Sequence, residues 1–388
     1  MSSDALGALV PETHMAQEPL PPNSSTPAAA ADARLAPPDG EADRSGVSWP
    51  DLLATVAGGG DLSRDEAAAA MTAILDGNAT AAQIAGLIVG LRIKGETVEE
   101  MTGLVVAMLD AAEALTVPLG AIDIVGTGGS AHRRSHALNV STMASIVAAA
   151  AGAVVCKHGN RRASSTSGSF DFLEALGVRA ELPGPELAVQ LDKIGVGFAY
   201  ARVFHPAMRH AGPVRAELGI PTVFNVLGPL AHPGRVTRQV VGVATDQQAA
   251  KMAAVLQNLD AELAWVVAGA DGIDEIGVTG PSVIYQVTPD RISRSEVDPA
   301  ELGLAVADSL EALAGGSARD NAAIFGRILD GTERGPRRDV VVINAAAGLV
   351  VAGLVDDLGA GVSAASAVID DGRAAAKLED LVAASPLT

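Results

Sequence analysis

From residue 48 to about 115, apolar positions recur every three or four residues, and each recurrence opens on a residue able to cap a helix. Ser48 stands before Pro50, and Ser63 with Glu66, Thr80 with Gln83 and Thr97 with Glu100 have the spacing of reciprocal capping boxes. Gly77 and Gly95 occupy places where C-terminal caps belong. This pattern predicts four helices joined by short turns, a small helical domain whose stripe Ile84, Leu87, Ile88, Leu91 needs a packing partner. The period then changes. Ile122–Val125 and Ala153–Cys156 have the length of buried strands, and between them Asn139-Val140-Ser141-Thr142 opens an alanine-rich helix with Asn139 or Ser141 as its cap. Short helices are predicted over Phe170–Leu176 and Leu187–Ile194. The apolar segment Thr222–Leu230, broken by Gly-Pro, reads as a turn within the core. Strands Gln239–Ala244 and Leu263–Ala268 enclose a helix over Asp246–Leu259. Two more strand candidates lie around Ser282–Val287, before helices near Asn321–Leu329, Asp339–Ala352 and Ala360–Leu378. Such alternation predicts an α/β fold: a helical domain followed by a larger α/β domain with a mainly parallel sheet.

Composition narrows this picture. The 388 residues are 48% hydrophobic but only 3% aromatic, which suits helices packed on a parallel sheet. A net charge of −19 argues against sequence-independent nucleic-acid binding and makes any basic cluster a local feature. Cys156 is the only cysteine, which excludes an internal disulfide and a cysteine-built zinc site. Residues 1–45, rich in Pro, Ala, Ser and acids, read as a disordered tail. Their acidity argues against a transit peptide, and no stretch has the look of a membrane span, so a cytoplasmic enzyme is expected.

The candidate chemistry sits where strands meet polar loops. Gly126-Thr127-Gly128-Gly129 follows the first strand and precedes a helix start, the arrangement that gathers backbone N–H groups around an anion. No Lys-Ser/Thr follows these glycines, so this is not a P-loop, and the third glycine of the dinucleotide fingerprint is missing. The loop after the second strand carries Lys157, Arg161 and Arg162 as cations and Ser164, Ser165, Ser167 and Ser169 as hydroxyl donors. Two such loops side by side suit a ligand with more than one phosphate. Asp274 and Glu275, placed beyond a strand end, supply the carboxylates a hard cation needs, and substrate phosphates would complete its shell. Arg215, on a helix among small apolar residues, offers a planar fork to a carboxylate.

Assembled in order, these segments resemble the anthranilate phosphoribosyltransferases. The resemblance runs from residue 48 to about 380 and rests on G-T-G-G, N-V-S-T, K-H-G-N-R-R-A-S-S-T-S-G-S, H-P-A-M, P-V-R-A-E-L-G, F-N-V-L-G-P-L and D-G-I-D-E. It implies phosphoribosyl pyrophosphate (PRPP) and Mg2+ as donor and cofactor, an aromatic acid as acceptor, and a homodimer joined through the helical part. It also implies that the helical domain combines 46–117 with about 182–213, leaving 118–181 and about 214–388 to the α/β domain. Carried over residue by residue, it assigns PRPP to Gly126, Gly129, Ser130, Asn139, Ser141, Thr142, Lys157, Ser164, Ser165 and Ser169. It assigns metal to Ser141, Asp274 and Glu275, and the acceptor to Gly126, His158, Asn160, His205 and Arg215.

The chain departs from the family pattern after G-T-G-G. Where the family has Asp-Gly and a short run to Asn-Thr, this chain has a longer run from Ser130 to Ala137 containing Arg133, Arg134 and His136. Arg202 also replaces a usual proline. If these changes are functional, Arg133, Arg134, His136 or Arg202 would meet an extra polar group on a different aromatic acid acceptor. Two rivals stand further off. A pyrimidine-nucleoside phosphorylase would not need Asp274-Glu275, and a nucleic-acid-binding paralogue would need a basic surface that this acidic chain lacks.

Overall fold

The computed structural model describes residues 47–128, 138–161, 167–179 and 181–386. Four helices come first: α1 Trp49–Ala57, α2 Arg64–Leu75, α3 Ala81–Lys94 and α4 Val98–Asp110. All three capping boxes form. In each, the Ser or Thr hydroxyl accepts from the backbone N–H of the third helical residue, whose Glu or Gln side chain accepts in return from the cap's N–H. Ser48 is the exception, since its hydroxyl donates to the Asp51 carboxylate and caps no amide. Between α4 and the turn before α2, the Glu100 carboxylate is wholly buried and accepts from Leu62 N, Thr97 N and Lys94 Nζ, each at 2.8 Å. Three donors offset the cost of removing that charge from water.

The rest of the chain builds one seven-stranded sheet in the order β3-β2-β1-β4-β5-β6-β7. The elements follow as β1 Ile122–Gly126, α5 Val140–Ala150, β2 Val155–Gly159, α6 Ser169–Ala175, α7 Gly184–Ile194 and β3 Val196–Tyr200. The chain continues through α8 Ala201–Phe204, α9 Gly212–Leu218, α10 Phe224–Leu227, β4 Arg238–Val243, α11 Asp246–Asn258 and β5 Leu263–Ala268. It closes with the strands β6 Ser282–Val287 and β7 Ile292–Val297, then α12 Ala318–Leu329, α13 Pro336–Val351, α14 Leu358–Asp370 and α15 Arg373–Ala384. From β3 to β5 every pairing is parallel, whereas β6 and β7 are antiparallel. Alternation along each strand divides the core. Ile122, Ile124, Val240, Trp265 and Val267 face α5 and α12–α15, while Val125, Val241, Val243 and Val266 face α11 and the helical module. No described helix is long and apolar enough to cross a membrane.

One strand goes unpredicted and two local expectations change. β3 carries Gly197 inside it, which breaks the strand signal; a Cβ there would lie 2.5 Å from Leu187, so the glycine lets α7 pack against the strand. The segment Thr222–Leu230 forms the helical turn α10 and a following 3₁₀ turn, not a simple turn. The single helix expected over Ala360–Leu378 is two, α14 and α15, parted at Gly372 with φ +84°.

Helices α2 and α4 approach so closely that a Cβ on Gly103 would lie 2.1 Å from the Arg64 carbonyl oxygen. Gly103→Ala is therefore expected to destabilise the fold by about 1–3 kcal/mol despite its better helix propensity, read as a lower urea midpoint. An unchanged or raised midpoint would contradict this packing.

Candidate active site

The acid segment is the site's framework. After β5 and a 3₁₀ turn, residues 273–276 cross the carboxyl ends of the central strands with almost no clearance. A Cβ on Gly126, at the end of β1, would lie 2.4 Å from Asp274 Oδ2; on Gly242, in β4, 1.8 Å from Asp274 O; on Gly269, just past β5, 2.4 Å from Glu275 O. These glycines exist for close approach. Gly128, at φ +67°, turns its N–H onto Asp274 Oδ2 at 2.7 Å. The glycine turn and the acid pair thus form one hydrogen-bonded unit, and both carboxylates are buried.

Lys157 enters from β2 with only 2% of its surface exposed, and its Nζ donates to the Ile124 carbonyl at 2.7 Å. Burial lowers its pKa, opposed chiefly by Asp123 and then by Glu275 and Asp274. Asp123, buried in the middle of β1, accepts from His158 N at 3.1 Å. Burial pushes its carboxyl up to about 7 against the pull of Lys157.

Helix α5 adds its free first-turn amides beside this charge. Asn139 holds the N-cap position but its side chain caps nothing, contrary to the expectation. Its amide oxygen instead accepts from Ser167 Oγ at 2.8 Å and Asn321 Nδ2 at 2.7 Å, tying the helix start to the end of the second loop and to α12. Among the described residues the Val140 and Ser141 amides have no hydrogen-bond partner, and both residues line the chamber. A chamber of about 240 Å³ results, lined by Gly126, Asn139, Ser141, Lys157, Ser169 and the acid pair. Two expected contributors differ. Thr142 is wholly buried and does not line the chamber, because it faces inward on α5. Arg161 reaches the chamber wall, but its guanidinium is held bidentately by Glu174 of α6, so it anchors the loop.

A second chamber of about 630 Å³ adjoins the first and shares Gly126, Thr127, His158, Gly159, Asn160 and Asn225 with it. Here lie His205, Arg202 and Arg215. Arg215 is half-buried, with Cζ 5.0 Å from the Phe224 ring centre, and no carboxylate among the described residues pairs with it. Burial lowers its pKa. A desolvated guanidinium in an open chamber is a receptor for an anion. Behind it, three buried histidines cluster, with His158 5.2 Å from His205 and 5.8 Å from His232 between ring centres. A carbonyl only accepts, so His158 Nδ1 donates to Gly228 O, His205 Nε2 to Ala231 O and His232 Nε2 to Cys156 O. Burial lowers all three pKa values, that of His158 far below the usual range, so the cluster stays neutral at pH 7.

Gly129, Ser130, Arg133, Arg134, His136, Arg162, Ser164 and Ser165 lie outside the described residues. Sequence reasoning passed over Asp123, although an acid inside an otherwise apolar strand was a visible signal. It also passed over Asn225, which borders both chambers and whose Oδ1 accepts from Thr222 N at 2.9 Å.

The donor set suits a hard cation. Two buried carboxylates and the Ser141 hydroxyl offer oxygen only, and no group of three His, Cys, Asp or Glu ligands exists among the described residues. An ion held here must take the rest of its shell from water and phosphate oxygens, as magnesium does.

A chamber that joins Lys157 to an acid pair, opening onto one where Arg215 has no carboxylate partner among the described residues, suits a transferase that joins a phosphorylated donor to an anionic acceptor. Comparison with known proteins makes the class specific. The model for the glycosyl transferase family, a/b domain, matches residues 119–375, and that for its helical bundle domain matches residues 50–112. Anthranilate phosphoribosyltransferase of Rhodopseudomonas palustris is 44% identical over 87% of this chain and 99% of its own. That of a Nocardioides species is 48% identical over 87% and 99%. The Thermus thermophilus crystal structure superposes with a TM-score of 0.80 at 42% identity, covering 86% of this chain and 99% of that one. The Saccharomyces cerevisiae enzyme in complex with PRPP and Mg gives 0.79 at 26%, covering 87% and 97%. The chain belongs to the anthranilate phosphoribosyltransferase family, and it is a pentosyltransferase with the small helical and larger α/β domains of its relatives.

Asp123 generates a pH test. Its folded pKa of about 7 stands above the ordinary 3.8, so its contribution to stability is fully present below pH 3.8 and lost as pH rises through 7. Asp123→Asn removes that loss. The variant's stability relative to wild type is expected to rise between pH 4.5 and 7.5 in urea unfolding, and a falling difference would refute a raised Asp123 pKa.

Proposed function

We propose that this protein transfers the 5-phosphoribosyl group of PRPP to the amine of anthranilate, giving N-(5-phosphoribosyl)anthranilate and pyrophosphate with Mg2+ as cofactor. The observation that carries this reading is the shared wall. A polyanion chamber and a carboxylate-binding chamber meet at Gly126, His158 and Asn160, so a sugar held in one presents its anomeric carbon to an amine held in the other. The relatives support it by name. The Saccharomyces cerevisiae relative has been solved in complex with PRPP and Mg and, separately, with 4-fluoroanthranilate.

The residues divide the work. Lys157, the first amides of α5, Ser141 and Ser169 hold the phosphates, and Ser164, Ser165, Gly129 and Ser130 belong to the same loops. Asp274, Glu275 and Ser141 hold Mg2+, which when bound offsets charge on the departing pyrophosphate. Arg215 grips the acceptor carboxylate in its planar fork, with Asn160 and His205 on the same chamber wall. The C1–O bond to pyrophosphate breaks with its electron pair leaving on oxygen, while the amine nitrogen's lone pair forms the C1–N bond and its proton passes to solvent. An aryl amine is unprotonated at neutral pH, so the site needs no strong base. The neutral histidines keep positive charge away from a sugar carbon that is itself becoming cationic. Alignment of two bound substrates supplies much of the acceleration. A homodimer joined through the helical domain is part of the same reading, as the family resemblance implies.

Steady-state assays with PRPP, Mg2+ and a panel of aminobenzoates and hydroxybenzoates, reading pyrophosphate release, test this. Anthranilate is expected to be the best acceptor, and a hydroxybenzoate turning over faster would overturn the acceptor assignment. Arg215→Ala should raise the anthranilate KM by roughly 10–100-fold, the cost of a charge-assisted pair, and leave the PRPP KM within about twofold. Lys157→Ala should do the reverse. Equal damage to both substrates from either variant would contradict the division into two chambers.

A further inference from the structure

Helix α13 is buried along most of its length, and Val340 to Ala347 contains one polar side chain, Asn344, 2% exposed. An amide in such surroundings is costly unless every group is bonded. Here every group is. Asn344 Oδ1 accepts from Ile276 N at 3.1 Å, and Nδ2 donates to Ile276 O at 2.9 Å and to Val340 O, one turn back in its own helix, at 2.8 Å. The side chain therefore clasps both polar groups of one residue of the acid segment, the residue immediately after Glu275. On the other side the segment is anchored by Gly269 N, which donates to Ile273 O at 3.0 Å. Only Asp274 and Glu275 lie between the two anchors.

We infer that Asn344 is a positioning residue for the metal-binding acids: it fixes the height and rotation of the two-residue span that carries both carboxylates. It touches neither substrate nor cation. Magnesium tolerates little error in ligand placement, so a loosened clasp reaches the metal before it reaches anything else. Groups that hold metal ligands from behind are typically worth 10–100-fold in affinity. The inference rests on the reading that Asp274 and Glu275 hold Mg2+.

The test uses the full chain, Mn2+ as a spectroscopic stand-in for Mg2+, and inorganic pyrophosphate without acceptor, with bound Mn2+ read by EPR. Asn344→Asp keeps the shape and the acceptor for Ile276 N but sets an oxygen against Ile276 O. Asn344→Ser leaves a hydroxyl able to bond Val340 O within the helix while losing all reach to Ile276, so it preserves α13 if the aspartate variant does not fold. Val342→Ala, equally buried on α13, controls for loss of core packing. Both Asn344 variants are expected to bind Mn2+ with pyrophosphate at least about tenfold more weakly than wild type, with anthranilate affinity within about twofold and Val342→Ala unaffected. Wild-type affinity in a folded Asn344 variant overturns the inference alone, as does the same weakening in Val342→Ala or an equal loss of anthranilate binding. A wild-type protein that binds no Mn2+ with pyrophosphate overturns the magnesium reading, and this inference with it.

Discussion

One acidic segment, Asp274-Glu275, lies against the ends of three parallel strands with no space for a β-carbon between them, and the geometry of the site depends on that contact. Gly126, Gly242 and Gly269 lie in or just past three different strands, yet each is required by one short acidic segment crossing above them. The contact also couples parts that are far apart in sequence. Asp274 accepts from Gly128, so the shape of the first anion loop and the direction of the acid pair cannot change independently. On the proposed reading, a metal site and a phosphate site would share this one hydrogen bond and be tuned together.

Electrostatics give the pocket its sign. The chain is strongly acidic overall, yet its donor chamber concentrates a buried ammonium, helix-start amides and two carboxylates. Burial in low dielectric lowers the pKa of Lys157, and Asp123 beneath it does most to oppose that shift. Next to it the three histidines are buried together, and burial lowers their pKa values so that they stay neutral at pH 7. Burial lowers the pKa of the lysine and of all three histidines, but only Lys157 has nearby acids that oppose the shift, and this separates a cationic first chamber from a neutral wall beside it.

Much of this was legible in the sequence because local rules govern it. The capping boxes at Ser63, Thr80 and Thr97 form as their spacing predicts, since a cap depends on residues three apart. Lys157, Ser141, Asp274 and Glu275 were singled out by type and by position after strands, and they line one chamber. What could not be read depends on distant partners. Asn139 looks like a helix cap by every local rule, but Asn321, 182 positions along the chain, competes for its side chain. Arg161 looks like a phosphate ligand until α6 brings Glu174 to it. The strand β3 was hidden because Gly197 answers to the packing of α7, not to strand propensity. In each case tertiary contact overrode a correct local preference.

The same contrast explains why the chain beyond residue 300, which lines neither chamber, belongs to the site. Asn321 on α12 holds Asn139 and so the start of α5, and its own oxygen accepts from Gly316 N at 2.8 Å. Asn344 on α13 holds Ile276 and so the acid pair. Each buried asparagine fixes one half of the donor chamber from behind, through side-chain amide to backbone or amide to amide bonds that only an apolar environment makes decisive. The alternative, apolar residues at both positions, would pack α12 and α13 at least as well but would leave loop and acids free to find their own geometry. Buried polarity here is retained for placement, and its cost is offset because all of the Asn344 hydrogen bonds are made.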